Sequence, residues 1–252
     1  MPVVRDAWLV FVQQLRLLAR EPAWIIIALI QPMLYLALFG PLLRNVVSVP
    51  GFPAGDSWQV FVPGLLIQLG IFGSLFVGFG LLEEKRYGVV ERLRVTPASR
   101  LSLLLGRVLR DTVVLVVQAT ILSLVAVAFG LRVPLVGALV TLAIVALLGV
   151  ALSSLSYAAA LRLKTEDALA QLLNMLAVPV LLLSGILLPM TMAPGWLDTM
   201  SRFNPFRYVV DGARAAFLGD LGASLVAGLI AAMLLAVVGL IVGFRTFQRE
   251  SA

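Results

Sequence analysis

Six stretches of the chain are apolar over lengths that one face of a soluble helix never needs: 23–43, 58–82, 111–131, 134–161, 168–188 and 223–244. A hydrocarbon core about 30 Å thick takes roughly 20 apolar residues in helix, and each run is expected to cross it once. Gly and Pro fall inside several runs, which membrane helices tolerate better than soluble ones. The fourth run is long enough to tilt or protrude. Ahead of them, residues 1–21 follow a different rhythm. Val4, Ala7, Trp8, Phe11, Leu15 and Leu18 share one helical face, while Arg5, Asp6, Gln13, Arg16 and Arg20 cluster opposite, with Leu9 and Leu17 interrupting the polar side. This pattern predicts an interfacial helix anchored by Trp8 and Phe11. Its early charges and the long apolar run after it argue against a cleavable signal. The Arg20-Glu21-Pro22 triplet closes the helix, since Pro suits the first turn of the next one.

Composition then narrows the class. The chain has 252 residues, 61% hydrophobic and 13% charged, with a mean hydropathy of +1.06. So few charges could not cover the apolar surface of a soluble fold, and so much Leu, Val and Ile excludes disorder. What remains is an all-α polytopic membrane protein built as one transmembrane domain over 1–252. The absence of Cys and His removes disulfides, thiolate sites, the commonest zinc ligand and the usual general base. The formal charge of +6 is informative by location and does not by itself suggest nucleic acid. With both termini inside, the cytoplasmic segments hold Arg5, Arg16, Arg20, Lys85, Arg86, Arg92, Arg94, Arg100, Arg107, Arg110, Arg162, Lys164, Arg245 and Arg249. The outer segments hold only Arg44, Arg132, Arg202, Arg207 and Arg214. The positive-inside rule therefore sets both termini in the cytoplasm.

Two segments outside the spans carry further pattern. Residues 83–110 form the longest cytoplasmic connection, far beyond the few residues a connector needs. Glu83, Glu84, Lys85 and Arg86 end the second span, and Gly88 permits a break. Val89 to Val95 then make a short helix, with Glu91 beside Arg94 at i+3, before Thr96-Pro97 stops it. A solvated basic loop and a docking element both fit. Residues 184–220 are too apolar for a free loop, yet too interrupted by Pro189, Pro194, Gly195 and Pro205 to cross in one piece. Short helices over 189–221 that dip back into the outer leaflet reconcile the two, because broken backbone at membrane depth survives only when protein or a wet cavity surrounds it. They would serve as a structural lid or as a gate.

The motifs in these segments resemble the permease subunit of a type-2 ABC exporter, most closely the bacterial daunorubicin-resistance-like drug exporters. The family pattern of a charged cluster, Gly-Thr, Glu, Leu, Thr-Pro-x-Ser and Gly-Arg/Lys reads here as Glu83-Glu84-Lys85-Arg86, Gly88-Val89, Glu91, Leu93, Thr96-Pro97-Ala98-Ser99 and Gly106-Arg107. The late pattern reads as Ser184-Gly185-Ile186, Pro189, Pro194-Gly195-Trp196-Leu197, Asn204-Pro205 and Arg214. Arg20-Glu21-Pro22 and Pro32 also fit, so the likeness spans essentially the whole chain. Val89 stands where the family usually has Thr. The resemblance implies that Val89 to Thr96 is the coupling helix seated in an ATPase, with Glu83, Glu84, Lys85, Arg86, Glu91, Arg92, Leu93, Arg94 and Pro97 around it. Pro189, Pro194, Trp196, Asn204, Pro205 and Arg214, all in the late pattern, are the candidate residues of the outer gate.

The chain contains no G-x-x-x-x-G-K-[ST] segment and so no phosphate-cradling loop. The resemblance therefore places ATP and Mg on separate ATPase subunits, two per complex, beside a second permease, identical or related, in the bacterial cytoplasmic membrane. Gln31, Tyr35, Gln68, Gln171 and Asn174 lie on spans one, two and five, which line the path in such exporters. Interhelical hydrogen bonds of about 0.6–2 kcal/mol each are the structural alternative for them, and Ser153, Ser154 and Ser156 read as small-residue packing. No full charge is expected deep in a span, which argues against a secondary carrier built on coupling-ion ligands. Export of a drug, export of a lipid or lipid-linked glycan, and a non-transporting scaffold remain the functions to separate. An intramembrane enzyme lacks a catalytic set.

Overall fold

The computed structural model describes residues 2–20, 23–43, 56–88, 99–163, 165–187 and 189–249. Regular structure among them is helical throughout: α1 (Pro2–Ala19), α2 (Ala23–Leu43), α3 (Ser57–Leu75), α4 (Val77–Arg86), α5 (Arg100–Ala128), α6 (Leu135–Leu163), α7 (Glu166–Leu183), a 3-10 turn (Met190–Met192), α8 (Gly195–Ser201), α9 (Pro205–Leu218) and α10 (Ala223–Arg249). Five helical stretches are long and apolar enough to cross a membrane: Ser57–Arg86, Leu101–Ala128, Leu135–Leu163, Glu166–Leu183 and Ala223–Arg249. Ile26–Gly40, within α2, is a shorter apolar stretch.

Several boundaries differ from the sequence expectation, each for a local reason. The second run is two helices, α3 and α4, meeting at Phe76. Ser156 of α6 spans the junction, accepting from the Gly78 amide at 2.9 Å and donating to the Leu75 carbonyl. The third span starts at Arg100, well before 111, because the Ser99 side chain caps its first turn by accepting from the Ser102 amide at 3.2 Å. Much of the expected 83–110 loop is therefore helix, as the end of α4 and the first turns of α5. The seventh helix stops at Leu183, where Gly185 takes φ 72°, a left-handed turn that suits glycine. The last helix continues to Arg249.

The amphipathic N-terminal helix is present, but its buried face is rotated from the expected one. Phe11 and Gln14 are buried, and Gly106 of α5 leaves room for Val10 and the Ala7 carbonyl. Phe11 is thus a packing residue of the protein, whereas Trp8 is 57% exposed.

The hub is α6, which packs against α3, α4, α5, α7, α9 and α10. Its closest approach to α10 depends on small residues, as expected where helices associate without a hydrophobic drive between them. Gly239 faces Ala151, and Gly243 faces Ser154. The largest core cluster runs from Trp58 and Phe61 through Leu148 to Phe217. A second cluster, including Leu82, Leu104, Tyr157 and Leu169, fills the end near the 87–99 connection. Helix α7 is the least covered of the span-length helices, only 17% of its apolar window being buried.

A methyl group on Gly239 would sit 2.4 Å from the Ala151 carbonyl oxygen, whereas one on Gly80 meets nothing within 4 Å. Gly239→Val is expected to cost about 1–3 kcal/mol by overpacking. Gly80→Ala should be neutral or stabilising by up to about 1 kcal/mol, through helix propensity. Thermal unfolding midpoints in detergent check both.

Candidate functional site

Helices α2 and α3 pack side by side and leave a groove of about 250 Å³ lined by Ile27, Ala28, Gln31, Pro32, Gln68, Leu69, Phe72, Gly73 and Phe76. Gln31 and Gln68 are its only amide side chains. Gln68 is 3% exposed, and its Oε1 has no hydrogen-bond partner among the described residues. An orphaned buried acceptor costs roughly 1–3 kcal/mol, so a ligand donor arriving there would be favoured. Beyond the amides, Phe72, Phe76 and Phe79 form a parallel aromatic ladder, with ring centroids 6.2 and 5.9 Å apart and interplanar angles of 7° and 13°. The groove is therefore apolar and aromatic, with two amide side chains in its lining. Of the five expected path residues it joins Gln31 and Gln68. Tyr35 lies one turn away, edge-on to Phe39 at 5.6 Å. Gln171 and Asn174 sit exposed on α7, outside the groove.

The other candidate surface is the end carrying the 87–99 connection. Glu83, Glu84, Lys85 and Arg86 complete α4, and Gly88 follows with φ 69°. Arg86 pairs with Glu166 at 3.1 Å, and together with Lys85, Thr165 and Asp167 they line a notch of about 470 Å³. Val89, Glu91, Arg92, Leu93, Arg94, Thr96 and Pro97, with the expected short helix, lie outside the described residues. Two neighbouring arginines turn inward. Arg107, 5% exposed, pairs with Glu84. Arg110 donates through Nε to Asp111 at 2.8 Å, and at 3.3 Å to both Gln14 and Tyr157, whose hydroxyl donates to Asp111. This buried knot joins α1, α5 and α6. Sequence reading missed it, because Arg110-Asp111 looks like an ordinary charged span edge and Tyr157 lies 46 positions away. An acid and base adjacent at the start of an apolar run was the available signal.

The segment 184–220, expected on the outer side, is ordered by its own interruptions. Pro189 opens the 3-10 turn and Pro194 opens α8. Asn204 caps α9, accepting from the Phe206 amide at 3.0 Å and donating to the Val180 carbonyl at 3.1 Å, with Pro205 in the first turn. Arg214 is 5% exposed. It donates to the carbonyls of Val60 at 2.9 Å, Gly185 at 2.6 Å and Ile186 at 3.3 Å, tying α3, the turn after α7 and α9 together. Trp196, by contrast, is 67% exposed. Hydrogen bonds from Arg202, then from Arg207, hold the Asp198 carboxyl below its usual range. That ion cluster therefore persists at neutral pH and is lost as pH falls through the lowered value.

The family model for the ABC-2 type transporter matches residues 5–218. The chain belongs to that family. Among its relatives is a protein named transport permease ycf38 from Cyanophora paradoxa, 30% identical over 199 residues, covering 78% of this chain and 69% of that protein. The probable doxorubicin resistance ABC transporter permease protein DrrC of Mycobacterium tuberculosis is 25% identical over 203 residues, covering 80% and 72%. The daunorubicin resistance ABC transporter permease protein DrrB1 of Streptomyces coeruleorubidus is 23% identical over 207 residues, covering 80% and 71%. As an ABC-2 permease the chain is a multi-pass membrane transporter component with drug-resistance homologues, and the family implies an ATPase partner.

In this ABC-2 permease, the Arg110–Asp111 pair is the buried charge whose disruption should be most visible. Arg110→Met alone is expected to cost about 3–5 kcal/mol, because it leaves the Asp111 carboxylate uncompensated. Adding Asp111→Asn should recover part of that loss. A double-mutant cycle on unfolding midpoints measures the recovery.

Proposed function

We propose that this chain is the membrane-spanning subunit of an ATP-driven exporter that moves a lipophilic or amphipathic substrate, a drug or antibiotic, out across the cytoplasmic membrane. The observation that carries the reading is the α2–α3 groove, an apolar, aromatic-lined space whose lining includes Gln68, the residue with a buried, unpartnered amide oxygen. Such a site favours a flat hydrophobic molecule bearing a hydroxyl or amine donor over a bare hydrocarbon. The drug-resistance names of two relatives point to the same class of cargo.

In this reading α2 joins the five longer stretches as a sixth span, with both termini in the cytoplasm. Two separate ATPase subunits bind ATP and Mg and dock around the coupling helix at Val89 to Thr96. Closing of the ATPases moves the permease as rigid bodies between two packings. A second permease covers the exposed side of α7, bringing Gln171 and Asn174 into the path. The uncovered apolar surface of that helix supports this, since polar side chains on spans are otherwise turned to protein or a cavity. The outer helices, held by Arg214, act as the gate.

Gln68→Leu tests the groove. With the permease and its ATPase reconstituted in vesicles and doxorubicin as probe, the concentration giving half-maximal ATPase stimulation is expected to rise about 2–10-fold, the worth of one hydrogen bond. Basal turnover should stay unchanged. An identical stimulation curve would remove the groove from the substrate path.

A further inference from the structure

We propose that the outward face of α1 is a binding surface for anionic phospholipid headgroups of the leaflet it lies against. Helix α1 meets the rest of the chain chiefly through α5, along the line of Ala7, Val10, Phe11 and Gln14. Around the rest of the helix Val4, Trp8, Leu9 and Leu17 are between 51% and 72% exposed, with Leu9 opposite the buried line and Val4 and Leu17 flanking it. Among them Arg5, Arg16 and Arg20 are exposed and form no ion pair among the described residues. At 100° per residue these three arginines and Leu9 fall within about 60° of arc, so charge and grease share one stripe. Leu9, Val12, Gln13, Arg16, Leu17 and Arg20 line a shallow groove of about 310 Å³ on it.

The chemistry selects the occupant. Arg16 and Arg20, at i and i+4, have Cβ atoms about 6 Å apart on one face, so both guanidinium forks can reach one headgroup, and each suits phosphate oxygens bidentately. Leu9, Val12 and Leu17 alongside offer a surface for acyl chain or glycerol, and Trp8 marks the headgroup level. Asp6, the one acid in α1, lies about 15 Å from Arg16 along the axis, too far to neutralise it. A soluble acidic protein would satisfy the arginines but leave the exposed apolar positions in water. A phospholipid satisfies both. The buried side of the same helix reaches Arg110 through Gln14, so lipid held here also steadies the start of α5, next to the 87–99 connection.

The inference rests on the proposed topology, and its readout needs no transport, so failure here and failure of the exporter reading are separable. The full chain is to be extracted from vesicles of three parts phosphatidylcholine to one part phosphatidylglycerol, and its retained lipids counted by native mass spectrometry. The wild-type chain is expected to enrich phosphatidylglycerol. R16Q/R20Q should lower that enrichment roughly 5–30-fold, the effect of removing two arginines from an anionic surface, without changing the unfolding midpoint. R16K/R20K should retain most of it, and R132Q, an exposed outer arginine, all of it. No enrichment in the wild type, or equal enrichment in R16Q/R20Q, overturns the proposal. So does loss of ATPase co-purification in R16Q/R20Q with lipid retention intact, which would assign the face to the ATPase.

Discussion

A chain that breaks its helices at membrane depth strands carbonyl groups where water cannot reach them, and every such group must find a donor inside the protein. In this permease one side chain supplies donors to several such groups at once. Arg214 donates to three carbonyls contributed by two separate segments, at Val60, Gly185 and Ile186. The turn after Leu183 can leave the helical path because that guanidinium receives its oxygens, and Gly64 leaves the space in which the Ile186 carbonyl lies. The prolines at 189, 194 and 205 would otherwise be only breaks. With Arg214 in place they start the short helices of a packed segment.

The same constraint shapes the interior in the opposite sense. Where helices run unbroken, as between α6 and α10, the backbones approach over glycine, alanine and serine, and serine hydroxyls return to their own helix: Ser153 to the Gly149 carbonyl, Ser154 to the Val150 carbonyl. Only Ser156 is diverted, to splice the α3–α4 junction. The Gln68 amide oxygen, like the Ser74, Thr112 and Thr246 hydroxyls, is buried without a partner among the described residues. Of these residues only Gln68 lines the groove bordered by the aromatic ladder.

How much of this was legible in sequence follows from the range of each cause. Twenty apolar residues in a row form a local signal, so the helical runs, the amphipathic start and the proline-broken outer segment could all be read directly. Motif resemblance reached the family, which the match over 5–218 bears out. Helix ends and facing directions were not readable, because they depend on contacts distant in sequence. The third span begins at Arg100 through the Ser99 cap and continues under α1. Phe11 turns inward because Gly106 leaves room for its helix. Arg107 and Arg110, counted among the basic residues of a loop, are instead consumed by Glu84 and Asp111. The path residues divided similarly: Gln31 and Gln68 share a groove because α2 and α3 are packed neighbours, while Gln171 and Asn174 belong to a face that the described residues leave exposed.

The most direct test is accumulation of doxorubicin in inverted vesicles containing this permease and its ATPase subunit. ATP-dependent uptake that requires both polypeptides, stops when ATP is replaced by a non-hydrolysable analogue and dissipates when the vesicles are opened is the expected result. ATP turnover indifferent to doxorubicin and to other flat amphipathic amines, with no accumulation of any of them, would contradict drug export and leave the groove as a structural feature of a different transporter.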